Sequence, residues 1–315
     1  MTTAIPKDNH QPPTALPLSF DNRVAIVTGA GGGLGRLHAL ELARRGARVV
    51  VNDIGGASDG TGGSAGPAQT VVEEIAKLGS EAVADTNSVA TTEGGAGIIN
   101  TALEAFGTVD IVINNAGILR DKSFHKLDDE QLHSVLAVHL QGAFNVTRPA
   151  FIHMREQGYG RIVCTTSNAG LLGNFGQSHY SAAKMGLVGL TNTLAIEGAK
   201  HNIKANCIAP MATTRMTEAI FSGDIGDTMN PALVAPVVCF LAHEQCPVSG
   251  EVYSAAGGSV ARFFIGLTDG YRNPNLTVED VAANLEKIRD ETGYKVLNDA
   301  LQEVRMTYEK IRDAS

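Results

Sequence analysis

The chain has 315 residues, 43% of them hydrophobic, and a formal net charge of −8. Charges of one sign never cluster in long blocks, which disfavours nucleic acid and anionic membranes as partners. No run of about 18 apolar residues predicts a transmembrane helix, and the N-terminus lacks the apolar core of a signal peptide. The four cysteines show no CxxC spacing, so we expect free thiols in a cytoplasmic protein (Cys164, Cys207, Cys239 and Cys246).

Short β-branched runs alternate with helical patterns over about 240 residues. The runs cover 23–28, 47–52, 81–86, 110–115, 161–167, 203–209 and 251–256. Helical patterns cover 34–45, 67–78, 92–106, 129–157, 179–200 and 231–243. The runs are apolar on both faces, as in strands that helices cover on two sides. The sequence therefore predicts an α/β fold with a Rossmann-type, doubly wound sheet of seven parallel strands.

Three segments are expected along the chain. Residues 1–19 contain four prolines and predict a flexible arm, and 20–260 form one catalytic domain. Residues 261–315 predict a helical extension that packs on the body or on a partner subunit. Its first helix follows a capping-box pattern at Thr277 and Asp280, and its second covers roughly 295–312. Apolar residues fall on one face of each helix (Val278, Val281, Ala282, Leu285 and Ile288, then Leu297, Leu301 and Val304).

The first strand leads into a glycine-rich segment, TGAGGGLG at 28–35, and then into a helix. Glycines allow a tight turn and a close approach of a pyrophosphate, and the helix N-terminus favours its negative charge. The second strand ends at Asp53, where a carboxylate can accept hydrogen bonds from a ribose 2′-hydroxyl and repels a 2′-phosphate. We therefore expect NAD as the cofactor, although Arg36 could instead hold the phosphate of NADP. The stretch after Asp53 has six glycines between 55 and 66, which predicts a mobile loop.

Tyr180 and Lys184 form a YxxxK pattern, which places both side chains on one face of a helix. A lysine near a phenol can lower the phenol's pKa, so that the phenol exchanges a proton with a substrate oxygen near neutral pH. Ser167 lies at the carboxyl end of the fifth strand, where ligands bind in such sheets, and can donate a hydrogen bond to the same oxygen.

These motifs resemble the short-chain dehydrogenase/reductase family over residues 20–260. The matching pieces are TGAGGGLG (28–35), NNAG (114–117), Ser167, YSAAK (180–184) and IAPMATTRM (208–216). The resemblance implies that Tyr180 is the acid/base, that Lys184 lowers its pKa and binds the nicotinamide ribose, and that Ser167 orients the substrate. The cofactor-binding residues that it implies are Gly29, Gly33, Leu34, Gly35, Asp53, Ser88, Val89, Asn115, Ala116, Gly117, Tyr180, Lys184, Pro210 and Thr213. Of these, Ser88 and Val89 are expected to flank the adenine.

One position departs from the family pattern. His139, in VHLQGAF, stands where the family has an asparagine that supports a proton relay. We expect His139 to take over that catalytic role, with a packed helix histidine as the alternative. The other histidines show no ligand spacing, so no metal is predicted.

A closer resemblance concerns the dehydrogenase unit of peroxisomal multifunctional enzymes of type 2. It rests on NNAGILRDKSF (114–124), GNFGQSHYSAAK (173–184), LAIEGAKHNIKANCIAP (194–210) and the tail from 273 to 288. That unit oxidises (3R)-hydroxyacyl-CoA and also acts as a 17β-hydroxysteroid dehydrogenase. The resemblance implies a stand-alone, bacterial-type oxidoreductase of fatty-acid or steroid side-chain metabolism, with an acyl-CoA or steroid-CoA as substrate.

Apolar residues near 171–179 and 211–225 predict the acyl pocket (Leu171, Leu172, Phe175, Met216 and Phe221). Basic residues at its mouth are candidates for binding the phosphates of CoA (Arg120, Lys122 and Lys126). Three alternatives stay open: a dehydrogenase of free hydroxysteroids, an NADPH-dependent reductase, and a dinucleotide-binding sensor without turnover. The resemblance also implies a homodimer or homotetramer built on the helices at 129–157 and 179–200.

Overall fold

The computed structural model describes residues 18–214 and 228–312, which fold around one large sheet. Eight strands of this part of the chain form that sheet, in the order β3-β2-β1-β4-β5-β6-β7-β8. They are β1 Val24–Thr28, β2 Arg48–Asn52, β3 Ala82–Asp85, β4 Ile111–Asn114, β5 Gly160–Thr165, β6 Ile203–Pro210, β7 Val252–Ala256 and β8 Ser259–Phe263. The first seven are parallel, which confirms the predicted doubly wound α/β sheet.

The eighth strand was not predicted, and it runs antiparallel to β7. Gly257 and Gly258 join the two strands, with φ angles of +53° and +85°. Positive φ at both central residues is the geometry of a two-residue hairpin turn, which two glycines adopt without strain. The prediction of seven strands is therefore wrong by one, because the Gly-Gly hairpin signal was overlooked. β8 also crosses residue 260, where the sequence placed the end of the catalytic domain.

Helices cover both faces of the sheet, and the strands alternate their side chains between two cores. One core lies under α1 Gly33–Arg44, α2 Gly66–Lys77 and the helix Ala235–Ala242. The other lies under α3 Thr92–Phe106, α5 Gly142–Gln157 and α7 Ser178–Gly198, and the short helix α6 Asn168–Leu172 precedes α7. In β1, Ala25 and Val27 enter the first core, while Val24 and Ile26 enter the second.

The long helix predicted over 129–157 is interrupted. It consists of α4 Asp129–Leu136, a π-helical segment Ala137–Gln141, and α5. A π-helical turn inserts an extra residue into a helix and often marks a functional position. His139 lies at the centre of this segment, so the local distortion determines where its ring points.

The C-terminal residues differ in part from the prediction. The capping box at Thr277 and Asp280 is confirmed, but two short helices follow it, Val278–Ala283 and Leu285–Arg289. The last helix covers Ala300–Arg312, and the predicted start near 295 is wrong because Lys295–Val296 pairs as a strand with Gly266–Leu267. Large apolar side chains of these elements are exposed (Val278, Val281, Leu285, Leu301, Val304, Tyr308 and Ile311).

The strand order places a crevice where a ligand can bind. β1 lies between β2 and β4. From β1 the chain continues to β2 and β3 on one side, and from β4 it continues to β5, β6 and β7 on the other side. Ligands of open α/β sheets bind at such a switch point, beyond the carboxyl ends of the strands. Within the described part of the chain, no helix is both long and apolar enough to cross a bilayer.

Candidate active site

The segment between β1 and α1 takes its shape from glycines. Gly29 and Gly33 have φ angles of +64° and +52°, in the left-handed region that favours glycine. A Cβ on Gly29 would lie 2.8 Å from the Cα of Ala116, and a Cβ on Gly35 would lie 2.2 Å from the carbonyl oxygen of Gly29. The backbone is therefore packed too closely for side chains at these two positions. Beyond it, the N-terminus of α1 offers N–H donors to an anion.

Thr28 and Asn115 hold this segment in place. The Thr28 hydroxyl oxygen accepts hydrogen bonds from the backbone N–H groups of Asn115 (3.0 Å) and Ala116 (3.1 Å). The Asn115 amide donates to the carbonyl oxygens of Thr28 (3.0 Å) and Gly29 (3.2 Å). The asparagine expected beside the cofactor thus shapes the glycine segment directly. Thr28 was missed as a site residue, although it begins the TGAGGGLG motif.

Asp53 comes directly after β2, and its carboxylate faces the glycine segment. Its Oδ2 accepts a hydrogen bond from the backbone N–H of Gly31 (2.8 Å), and its Oδ1 accepts one from Gly55 (2.7 Å). Arg36, the residue that could favour a 2′-phosphate, forms an ion pair with Glu74. An acid therefore lies at the end of β2, and the guanidinium of Arg36 is already paired with Glu74.

The glycine-rich stretch from 54 to 65 is a loop without regular structure, as predicted. It lies against residues that follow β4: the backbone N–H of Leu119 donates to the Ser58 carbonyl oxygen (2.9 Å), and the Arg120 Nε donates to the Asp59 carbonyl oxygen (3.0 Å). Through these bonds the loop after Asp53 is joined to residues 119 and 120, which lead toward the predicted acyl pocket.

The remaining predicted cofactor residues lie at the same edge of the sheet. Ser88 and Val89 are in the segment between β3 and α3, where the Val89 carbonyl oxygen accepts a hydrogen bond from Asn145 (2.9 Å). Pro210 is the last residue of β6, and Thr213 follows it closely. Leu34 and Gly117 lie at the start of α1 and after β4. Positions from four strands thus converge on one crevice.

Ser167, Tyr180 and Lys184 are brought together beside that crevice. Ser167 follows β5 by two residues, and Tyr180 and Lys184 lie one turn apart on α7. The Lys184 Nζ is 5.5 Å from the centre of the Tyr180 ring and donates a hydrogen bond to the Thr165 carbonyl oxygen (2.6 Å). The Ser167 hydroxyl accepts a hydrogen bond from the backbone N–H of Ala169 (3.1 Å).

The electrostatics of this trio differ from our expectation. Burial raises the pKa of the Tyr180 phenol above its ordinary value; a hydrogen bond with Ser167 lowers this pKa, and the charge of Asp121 raises it further. Burial also lowers the pKa of Lys184 to about 8. The predicted lowering of the phenol's pKa by Lys184 is therefore not observed. The phenol is therefore protonated at neutral pH.

Replacing Lys184 with Met should change how stability depends on pH. In the native protein the pKa of Lys184 is about 8, below the 10.5 of a free lysine, so the unfolded chain binds more protons between these values. The free energy of unfolding of the wild type should therefore rise by roughly 3 kcal/mol relative to Lys184→Met as the pH increases from 7.5 to 10.5. Urea unfolding of both proteins at several pH values measures this. Parallel curves would contradict the burial of a charged lysine.

His139 is buried and contacts both the backbone and Tyr180. Its Nε2 lies 2.8 Å from the carbonyl oxygen of Ile118 and 3.0 Å from the backbone nitrogen of the same residue. Its ring meets the Tyr180 ring edge to face, at 5.1 Å between centres. Burial and the charge of Lys184 lower the pKa of His139 well below its ordinary value, so the ring is neutral. The histidine thus contacts a predicted catalytic residue directly.

The His139 ring also explains why residue 117 is a glycine. A Cβ on Gly117 would lie 2.4 Å from the Cε1 of His139. We expect Gly117→Ala to destabilise the protein by about 1–3 kcal/mol through overpacking. In the double variant with His139→Ala this loss should largely disappear, which urea unfolding of the four proteins of the cycle would show. Additive effects would mean that the ring and the glycine are independent.

The predicted substrate side is only partly described. Leu171 packs against the core, whereas Leu172 and Phe175 are 74% and 90% exposed. Met216 and Phe221 lie outside the described residues. Arg120 forms an ion pair with Glu130 in addition to its bond with the loop, while Lys122 and Lys126 are exposed. Of the three basic candidates, the two lysines are therefore the more accessible.

Comparison with known proteins assigns the class to which this fold and site belong. The family model described as short chain dehydrogenase matches residues 23–224. The chain therefore belongs to the short-chain dehydrogenase family, as its motifs predicted, and is an oxidoreductase that acts on CH–OH groups. The family uses NAD or NADP. Within residues 18–214 and 228–312, no cluster of three potential metal ligands is present.

Three individual proteins are similar to this chain over most of its length. A short-chain type dehydrogenase/reductase of Mycobacterium tuberculosis is 53% identical over 277 residues, which are 87% of this chain and 96% of that protein. A hydroxyacyl-CoA dehydrogenase of the same organism is 38% identical over 81% of this chain and 83% of its own length. The structure of full-length peroxisomal multifunctional enzyme type 2 from Drosophila melanogaster is 40% identical, with a TM-score of 0.79 over 94% of this chain. The chain spans 50% of that enzyme.

Proposed function

We propose that this protein oxidises (3R)-3-hydroxyacyl-CoA to 3-oxoacyl-CoA with NAD, in the β-oxidation of fatty acids or steroid side chains. The observation that carries the proposal is the grouping of Ser167, Tyr180 and Lys184 beside the glycine segment at the carboxyl ends of the strands. Support for the acyl-CoA substrate comes from the similarity to a hydroxyacyl-CoA dehydrogenase and to multifunctional enzyme type 2.

The residues around the glycine segment fit a dinucleotide. The positive φ angles of Gly29 and Gly33 and the lack of room for a Cβ at Gly35 form a backbone cradle for a pyrophosphate. The carboxylate of Asp53 suits a ribose with free hydroxyls better than one with a 2′-phosphate, and Arg36 is paired with Glu74. These contacts favour NAD over NADP. NAD held by these residues would supply the acceptor for the hydride of the substrate carbon.

The protein's own residues handle the proton. Ser167 donates a hydrogen bond to the substrate oxygen and holds it beside the phenol of Tyr180. In the oxidation, the ionised phenol of Tyr180 takes the proton of the substrate hydroxyl. In the reverse reaction, the phenol gives this proton to the substrate oxygen. Because burial raises the pKa of this phenol, oxidation gains from alkaline pH, where more of the phenol is ionised. Lys184, whose pKa is about 8, is largely uncharged in that alkaline range, so we assign it the role of holding the nicotinamide ribose.

His139 supports this proton transfer in our proposal. A cavity of about 10 Å³ has a polar lining formed by Thr28, Asn114, His139 and Lys184. This volume holds about one water molecule. Among the described residues the Nδ1 of His139 has no hydrogen-bond partner, so it can bind that water. The histidine would then carry out, with a ring nitrogen, the relay role expected of the family's asparagine.

Exposed apolar surface on the long helices supports the expected homodimer or homotetramer. Large side chains on α5 and α7 face solvent in the single chain (Phe144, Ile152, Met185 and Ile196). Such exposure on two neighbouring helices is typical of surfaces that another subunit covers. Light scattering measures the mass in solution, and a monomer would count against this part of the proposal.

The deciding experiment measures NADH formation with (3R)- and (3S)-3-hydroxyacyl-CoA of the same chain length, with NADP as the cofactor control. We expect turnover of the 3R substrate with NAD and at least tenfold lower kcat/KM with NADP. Preference for the 3S substrate or for NADP would contradict the proposal. NAD binding without turnover of either thioester would instead favour a free hydroxysteroid substrate, and a 17β-hydroxysteroid should then be tested.

A further inference from the structure

The end of β3 carries a buried carboxylate that the proposed reaction does not use. Asp85 is 4% exposed. Its Oδ1 accepts hydrogen bonds from the Asn52 amide (2.7 Å) and from the backbone N–H of Asn87 (3.0 Å). Its Oδ2 accepts one from the Asn87 amide (2.8 Å) and lies 2.7 Å from the Thr101 hydroxyl. Four donors, all of them neutral, thus surround one carboxylate.

A carboxylate suits the hydrogen-bond donors around this position. A carboxylate accepts hydrogen bonds at both oxygens and donates none, so it satisfies four donors at once. An asparagine at position 85 has nearly the same shape, but its NH₂ group would face N–H donors of Asn52 or Asn87 whose hydrogen bonds the carboxylate now accepts. Burying a charge without a cation is unfavourable unless such hydrogen bonds surround it. An amide at position 85 would therefore not hold the side chains of Asn52 and Asn87 in the same orientation.

Those neighbours belong to the adenosine side of the proposed site. Asn52 directly precedes Asp53, and the Asn52 carbonyl oxygen accepts a hydrogen bond from Ala30 in the glycine segment (2.9 Å). The Asn52 amide also donates to the carbonyl oxygen of Asn87 (2.9 Å). The Asp53 backbone N–H donates to the Asp85 carbonyl oxygen (2.9 Å). Asp85 thus links the acid expected to bind the ribose with the segment 86–91, whose residues 88 and 89 are expected to flank adenine.

A second observation shows how closely this segment is packed. A Cβ on Gly97, in α3, would lie 2.8 Å from the Cγ of Asn87. The glycine therefore leaves the space that the Asn87 side chain occupies between Asp85 and α3. At the far end of the segment, the Thr91 hydroxyl accepts a hydrogen bond from the Gly94 backbone (3.0 Å) and begins the helix. The position of residues 87–89 consequently depends on the hydrogen bonds of Asn87 with Asp85 and on the space that Gly97 leaves for the Asn87 side chain.

We propose that Asp85 is the positioning residue for the adenosine half of the dinucleotide, acting through Asn52 and Asn87. The inference rests on the proposed function, because it requires a dinucleotide at this edge of the sheet. It assigns Asp85 no contact with the reacting atoms. Its loss should therefore weaken binding of the adenosine half and leave the catalytic step unchanged.

The test compares Asp85→Asn with wild type and with Asp110→Asn. Asp110 is a matched control because it is also buried, but it binds Arg23 and the Val24 backbone, at the opposite ends of the strands. For Asp85→Asn we expect KM for NAD, Kd for NADH and the inhibition constant of AMP to rise at least tenfold. The kcat and the KM for hydroxyacyl-CoA should change less than twofold. In Asp110→Asn all these constants should stay within twofold of the wild type.

Gly97→Ala provides a second route if Asp85→Asn does not fold, since it displaces Asn87 and leaves the carboxylate intact. It should raise the same three constants, with kcat unchanged. Wild-type affinity for NADH and AMP in the folded variants would overturn the role of Asp85 and leave the proposed function intact, as would an equal loss of affinity in Asp110→Asn. A wild-type protein that binds no dinucleotide at all would overturn the proposed function itself.

Discussion

Replacing Tyr180 with Phe should lower kcat by about 10²–10⁴-fold, because in the proposed mechanism the phenol exchanges the proton with the substrate. The ring remains, so its edge-to-face contact with His139 and its place on α7 are retained. The Kd for NADH should therefore stay within twofold of the wild type. Steady-state turnover with 3R substrate and NADH fluorescence titration measure the two quantities separately. Retained turnover would show that another group transfers the proton.

Tyr159→Phe is the matched control for this prediction. Tyr159 is also buried, and its ring lies beneath the guanidinium groups of Arg23 (3.6 Å from the ring centre) and Arg161 (4.4 Å). It directly precedes β5, at the edge of the sheet opposite the candidate site. Phenylalanine preserves these ring contacts, so kcat should stay within twofold of the wild type. A similar loss in both variants would point to a general effect of removing a buried hydroxyl.

Replacing Gly35 with Ala should weaken dinucleotide binding by about tenfold to a hundredfold, which corresponds to overpacking of about 1–3 kcal/mol in the cradle. Gly35 lies in α1, where alanine would ordinarily favour the helix. Here the new Cβ would lie 2.2 Å from the Gly29 carbonyl oxygen and 2.6 Å from the Asn115 amide. The glycine segment must move to relieve this contact, and the cradle moves with it. Fluorescence titration with NADH measures the loss.

Gly32→Ala is the control within the same segment. Gly32 has extended backbone with φ of −167°, and no other atom lies within 4 Å of a Cβ placed there. Alanine should therefore leave NADH affinity within about threefold of the wild type, a difference below 1 kcal/mol. If both variants lose affinity alike, the loss comes from adding any side chain to the segment, and the contact with Gly29 is not its cause.

The periodicity of the sequence was sufficient for the central architecture. The buried runs at 23–28, 47–52 and 110–115 became strands within one or two residues, because a strand covered on both faces must be apolar throughout. β8 lacks this apolar signal because its residues are exposed, so only the Gly257-Gly258 turn before it could have indicated the strand. The interruption at Ala137–Gln141 was also missed, since a π-helical turn depends on packing around His139 and not on local residue preference.

The sequence by itself determined the fold class, the glycine segment and the grouping of Ser167, Tyr180 and Lys184, because the spacing of these motifs along strands and helices places them at one edge of the sheet. Only the tertiary structure decided the ionisation of the site. Burial, which depends on residues distant in the chain, keeps the Tyr180 phenol protonated and lowers the pKa of Lys184 to about 8. Likewise, no spacing pattern could connect Asp85 with Asn52 and Thr101. Their hydrogen bonds exist because parallel pairing brings β2 beside β3 and packs α3 against both.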